Sequence, residues 1–137
     1  DLLTISLNML EREPENPQLV NNVAWLFLMN GRSAKGMIDQ LEEFCAEYQR
    51  MPGLHTTLAL AHYHDGNVER AKAILNALLP GMSDEALQGL SETDKAVVRL
   101  VLGEASQSTF LVGSLSELQF DGMMELERDF FKQALNQ

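Results

Sequence analysis

Apolar residues recur every three or four positions along most of the chain, which is the spacing of amphipathic helices. In the clearest stretch they fall at i, i+3, i+4, i+7 and i+8, at Ala71, Ile74, Leu75, Leu78 and Leu79. The pattern predicts helices near 2–13, 17–30, 33–49, 53–65, 67–79, 92–104 and 122–135. Segment 105–121 is the least regular. The chain is therefore expected to be all-α.

One helical sequence pattern is repeated. Residues 16–31 read NPQLVNNVAWLFLMNG and residues 51–66 read MPGLHTTLALAHYHDG, and the two align without a gap, 35 residues apart. Each copy has a proline near its start and ends on a glycine, with apolar residues matched between them. The aligned pairs are Pro17 with Pro52, Leu19 with Leu54, Val23 with Leu58, Ala24 with Ala59, Leu28 with Tyr63 and Gly31 with Gly66.

A second helical pattern follows each glycine, so that the order of helix, turn, helix and proline recurs. This arrangement resembles the tetratricopeptide repeats, whose signature is W-x2-L-G-x2-Y, then A-x3-F, then P, over about 34 residues. In the second copy, Leu58 and Ala59 stand at the Leu-Gly pair, Ala71 at the second-helix alanine and Leu75 at the aromatic position.

The first copy matches the same signature in its first helix only. Val23, Ala24 and Phe27 take the Leu, Gly and Tyr places. Its second helix departs from the pattern, because Gly36 stands at the expected alanine and about four extra residues precede Pro52.

The resemblance implies a right-handed solenoid of helix-turn-helix repeats within one structural domain. Residues 1–16 are expected to be the second helix of a truncated preceding repeat closed by Pro14, and further repeats are expected before Asp1. Residues 17–50 and 51–82 are each expected to be one repeat. Residues 83–137 are expected to hold a degenerate third repeat and a capping helix.

The C-terminal part carries weaker signals. Ser91 and Asp94 have the spacing of a capping box at the start of a helix. A short apolar piece follows at 110–112. The final helix has one polar side, as expected of an element that shields the end of a stack.

The resemblance also implies a concave groove lined mainly by the first helices. At its positions stand Gln18, Asn21, Asn22, Trp25, Leu28 and Met29 in one copy, and Gly53, Thr56, Thr57, Leu60, Tyr63 and His64 in the other. None of them is Lys or Arg, which argues against a clamp for a peptide's terminal carboxylate. Amides and hydroxyls around Trp25 suit a peptide backbone and one apolar side chain. The alternative is that Trp25 and its neighbours pack under the C-terminal helix.

Composition narrows the class of partner. The formal charge of −10 argues against nucleic acid, which is bound by clustered Lys and Arg. The negative charge is concentrated at the two ends of the chain, where it serves solubility or attracts a basic partner. The longest apolar run, 23–29, is far shorter than the roughly 20 residues that cross a bilayer. No membrane insertion of this segment is expected, and its compartment is left open.

No pattern for catalysis or cofactor binding is present in the sequence, so neither an enzyme nor a cofactor is predicted. His55 and His62 are seven residues apart and share a helix face, which raises the question of a metal site. His64, however, points away from His62, and Asp65 belongs to an Asp-Gly turn. Cys45 is the single cysteine, which excludes an internal disulfide and a multi-cysteine zinc site. No metal is therefore predicted.

Two functions follow from these observations. The first is a non-catalytic scaffold that binds another protein or a peptide through the concave helical groove. The alternative is a structural spacer or the capped end of a longer repeat array, with the groove filled by its own chain.

Overall fold

The computed structural model describes residues 2–103 and 123–135, and within these ranges the chain is all-helical with no strand. The α-helices are α1 Leu2–Arg12, α2 Pro17–Met29, α3 Ile38–Glu47, α4 Pro52–His64, α5 Val68–Leu78, α6 Asp84–Gln88, α7 Glu92–Leu102 and α8 Glu125–Leu135. Two 3₁₀ turns, Lys35–Met37 and Leu79–Gly81, lie before α3 and after α5. The prediction of an all-α chain is confirmed for these residues.

The helices α2 and α4 begin and end in the same way. Each has a proline at its first position, where the missing N–H costs no hydrogen bond. Each ends at a glycine of positive φ, Gly31 at 72° and Gly66 at 87°. Arg32 N donates to Phe27 O at 2.9 Å, and Asn67 N donates to His62 O at 2.8 Å. These are the same Schellman cap, 35 residues apart.

The start of α3 differs from the sequence prediction of a helix over 33–49. A 3₁₀ turn at Lys35–Met37 comes first, and the α-helix runs only from Ile38 to Glu47. Gly36 is a poor helix former, and the Ser33 hydroxyl holds the turn by accepting a hydrogen bond from Lys35 N at 3.1 Å.

The short helix α6 was missed from the sequence. Its cap is regular, because Ser83 Oγ accepts a hydrogen bond from Ala86 N at 3.1 Å. The predicted cap of α7 is confirmed in its serine half, since Ser91 Oγ accepts from Asp94 N at 3.1 Å. The carboxylate of Asp94 turns instead toward α4.

The helix α4 lies at the centre of the packing, in contact with α2, α3, α5 and α7. Ala59 on α4 and Ala71 on α5 are both fully buried, and their small side chains let these two helices approach closely. Leu58 and Leu75, which stand at signature positions, are buried in the same core. One hydrophobic cluster runs from α2 to α8.

The C-terminal helix α8 packs on α7 and α2. Phe131 is fully buried, and Met123 just before the helix is buried too. Of the predicted helix over 122–135, residues 125–135 are confirmed. The predicted apolar piece at 110–112 and the irregular segment 105–121 lie outside the described residues.

The first helix is apolar on two sides. Leu10 packs against the core, whereas Leu2, Ile5 and Met9 point outward with 52%, 55% and 46% of their surface exposed. None of the described helices is long and apolar enough to cross a membrane.

Candidate functional site

Trp25 faces the C-terminal helix. Its indole Nε1 donates to Glu127 Oε2 at 2.7 Å, and its ring centroid lies 6.0 Å from that of Phe131. Glu127 Oε1 also accepts from Met124 N at 3.0 Å, so that the same carboxylate caps α8. The ring is half-buried. One side chain thus fixes the start of α8 and its position on α2.

Five of the predicted groove positions are buried. Met29 and Leu60 are buried with 4% and 1% of their surface exposed, and Thr56 and Thr57 with 1% and 2%. Leu28, at another groove position, is fully buried. The expectation that these positions line an accessible groove is corrected, because Asp94 of α7 covers Thr56, Thr57 is buried, and the apolar side chains pack inward.

The remaining predicted residues keep some exposure but are dispersed. Gln18, Asn22 and His64 are exposed, whereas Asn21 and Tyr63 are half-buried. Asn22 and Trp25 line a small cavity of about 270 Å³ between α1 and α8. Asn21 Oδ1 is buried without a hydrogen-bond partner among the described residues. The structure therefore brings Asn22 and Trp25 together, and it does not join them to His64 in one groove.

Thr56 is held by a carboxylate from the next helix pair. Its hydroxyl donates to Asp94 Oδ1 at 2.6 Å, and Thr57 Oγ1 donates to Gly53 O at 2.8 Å. Burial raises the pKa of Asp94, hydrogen bonds from Thr56 and Ser91 lower it in part, and the charge of Glu127 raises it again. The net result is a pKa above the ordinary value.

This raised pKa predicts a pH dependence of stability. A carboxyl that binds its proton more tightly in the folded state stabilises the fold at low pH and loses that contribution as the pH rises. The free energy of unfolding of the wild type minus that of Asp94→Asn should decrease as the pH rises from about 4, the ordinary pKa of aspartate. It should level off above the raised pKa. Urea unfolding at a series of pH values measures it.

The matched control is Asp84→Asn, which removes another first-turn carboxylate, from exposed α6. A pH dependence for Asp94→Asn no larger than that of the control would contradict the burial argument.

A second opening, larger than the one beside Trp25, lies between α3 and α5. We call it the α3–α5 groove, and its volume is about 850 Å³. Its floor contains Leu58 of α4 and Ile74 of α5. The full lining consists of Glu42, Cys45, Ala46, Gln49, Arg50, Pro52, His55, Leu58, Arg70, Ala73, Ile74, Ala77, Leu78, Gly81, Met82, Ser83 and Ala86.

Small side chains keep the α3–α5 groove open. The helices α3 and α5 both pack on α4 and hardly touch each other. Ala46 on one wall and Ala73 and Ala77 on the other are exposed and too short to bridge the gap. On α5 the lining positions 70, 73, 74 and 77 run i, i+3, i+4 and i+7 along one helix face, and on α3 the positions 42, 45 and 46 do so over one turn before the helix ends at Glu47.

Both walls begin with a charged residue, and the two residues pair across the groove. Arg70 Nη2 donates to Glu42 Oε1 at 2.9 Å and Oε2 at 2.6 Å, and His62 Nε2 lies 3.1 Å from Oε1. Burial raises the pKa of Glu42, but the hydrogen bonds from Arg70 and His62 outweigh it and leave the pKa below its ordinary value. Glu42 is thus an anion already neutralised by its neighbours.

The cysteine and the histidines in and near the groove lie in separate surroundings. Burial raises the pKa of Cys45 to about 12, so its thiol is not ionised at neutral pH and is a poor nucleophile. The three histidines have separate neighbours: His55 lies near Tyr48 O, His62 near Glu42 and His64 near Asp65. In the ranges 2–103 and 123–135, no three His, Cys, Asp or Glu side chains lie close enough to hold a metal ion.

This groove was not predicted from the sequence. A signal was available on α5, where Ala73 and Ala77 widen the apolar stripe of Ile74 and Leu78 on one side. A stripe wider than one neighbour can cover leaves part of a helix face exposed.

Comparison with protein-family models, with curated proteins and with solved structures finds no match.

Proposed function

We propose that the chain is a non-catalytic scaffold that binds another protein, and that the partner docks in the α3–α5 groove. The observation that carries the proposal is the groove itself, about 850 Å³ in volume, with an apolar floor and exposed alanines on both walls. Binding sites in proteins are commonly concave, largely apolar and of this size.

The proposed architecture is a right-handed array of tetratricopeptide-type helix pairs. The two identical Schellman caps at Gly31 and Gly66 and the proline starts of α2 and α4 support it. The burial of small residues at Ala59 and Ala71, where the family needs close helix contact, supports it too. In such an array α3 and α5 are equivalent second helices of neighbouring repeats.

A phenyl ring placed in the groove should abolish binding. Ala77 is exposed on the α5 wall, so Ala77→Phe should fill part of the α3–α5 groove while the fold is retained. Asn76→Phe adds the same ring to the same helix outside the groove. We expect proteins co-purified from cell extract by the wild type and by Asn76→Phe to be lost with Ala77→Phe, as quantified by mass spectrometry. The same set of proteins on all three would contradict a docking site here.

A second function has its own supporting observation. The contact of Trp25 with Glu127 and Phe131 fills the predicted first-helix groove with this chain's own helix α8. That arrangement favours a capped end of a repeat array, in which α8 shields the last repeat. Both functions are compatible in one protein, because the contact of Trp25 with α8 and the α3–α5 groove share no lining residue.

A further inference from the structure

We propose that the occupant of the α3–α5 groove is an acidic amphipathic helix of a partner protein, which lays its apolar face between the two walls and directs a carboxylate at Arg50. This inference rests on the proposed docking function and adds the chemistry of the partner.

The shape of the groove favours a helix. The α5 wall is a helix face that extends over about 10 Å, the rise of two helical turns, and the α3 wall is a helix face of one turn with the same spacing, continued by residues 49–50. Glu42 and Arg70, the first lining residue of each wall, pair across the groove. A helix laid along the walls places residues at i, i+3, i+4 and i+7 over Ile74 and Leu58, which is the usual mode of helix-in-groove recognition.

The exposure of the walls makes a lipid chain a poorer occupant than an amphipathic helix. Ala46, Ala73 and Ala77 are open to solvent, so a hydrocarbon chain would leave much of its own apolar surface in water. An amphipathic helix buries one apolar face and keeps its polar face hydrated. The short alanines also let a helix backbone approach closely.

The charges of the groove decide the sign of the partner. The charged residues that line it, apart from His55, are two arginines and one glutamate, and the charge of that glutamate is balanced by Arg70. Arg50 is exposed and forms no ion pair with any residue in the described part of the chain. On a chain with a formal charge of −10, the groove is therefore a local exception. Charges farther away than about 8 Å are screened at physiological salt, so Arg50 attracts a carboxylate that a docked helix places beside it.

The test is a selection from displayed helical peptides of about 20 residues, long enough to be helical in isolation. Leucine is fixed on one face, and the flanking positions vary among Glu, Gln and Lys. Peptides that bind the wild type are kept. Those that also bind Ala77→Phe, whose phenyl ring fills part of the groove, are removed. We expect the surviving peptides to be rich in Glu at the positions flanking the leucines.

A selected peptide is then measured by fluorescence anisotropy on single variants. Arg50→Glu should weaken binding about tenfold or more, and a Lys-for-Glu peptide should regain affinity for that variant. Arg12→Glu makes the same charge change at an exposed residue outside the groove and should have little effect. Helical circular dichroism confirms that each variant is folded.

The outcomes separate the two proposals. Enrichment of basic or neutral peptides that still require an open groove overturns the acidic partner and leaves the docking function standing. The absence of any peptide that distinguishes the wild type from Ala77→Phe overturns both. Equal binding to Arg50→Glu and the wild type also overturns the role of Arg50.

Discussion

Replacing Phe131 with alanine should lower the free energy of unfolding by about 3–5 kcal/mol, the usual cost of deleting a buried aromatic side chain. Phe131 is fully buried and lies 6.0 Å from Trp25 and 5.1 Å from Phe130, measured between ring centroids. Its loss removes the main apolar anchor of α8 on α2 and α7. Urea unfolding followed by circular dichroism measures the change.

The chain supplies a matched control and a reporter for this prediction. Phe130→Ala deletes the same side chain from a half-buried position one residue away, and it should cost clearly less. Trp25 is the single tryptophan, so its fluorescence reports the docking of α8. In Phe131→Ala the emission should move to longer wavelength as water reaches the indole. Equal small losses of stability in both variants, with unchanged Trp25 emission, would show that α8 does not keep the first-helix groove covered at Trp25.

Helix positions were readable from the sequence because periodicity, proline starts and glycine stops are local signals. The prediction for α4 is right to within one residue at each end, and Gly31 and Gly66 adopt the positive φ that a glycine stop implies. Where an observed helix differs from the predicted one, the cause is also local, such as Gly36 before α3. The helix α6 has only five residues and therefore leaves little periodic signal.

The accessibility of the predicted first-helix groove could not be read from the sequence in the same way, because the exposure of a side chain depends on contacts between distant segments. Thr56 is covered by Asp94 from α7, and Trp25 by Glu127, 102 residues along the chain. Position within one repeat does not show which neighbour covers that position. The α3–α5 groove depends on a similar nonlocal fact, since its walls come from helices that pack on α4 and not on each other.

The contact between Trp25 and Glu127 combines an apolar and a polar contribution. The indole ring packs near Phe131, while its N–H is the donor to a carboxylate oxygen that is partly shielded from water. Removing the donor alone leaves Glu127 Oε2 without this partner, which costs about 1–3 kcal/mol. Trp25→Phe isolates that polar part, since it retains an aromatic ring. A double-mutant cycle with Glu127→Gln measures the coupling between the two side chains.

Trp25→Ala should therefore destabilise the fold by about 2–4 kcal/mol, somewhat below the range for a fully buried aromatic because the ring is half-buried. Thermal or urea unfolding measures the loss, and Leu75→Ala, at a fully buried position, provides the comparison. A loss close to that of Leu75→Ala makes Trp25 part of the packing that caps the helical array. A negligible loss would mean that α8 leaves the Trp25 face readily, and the first-helix groove would then be available to a partner after all.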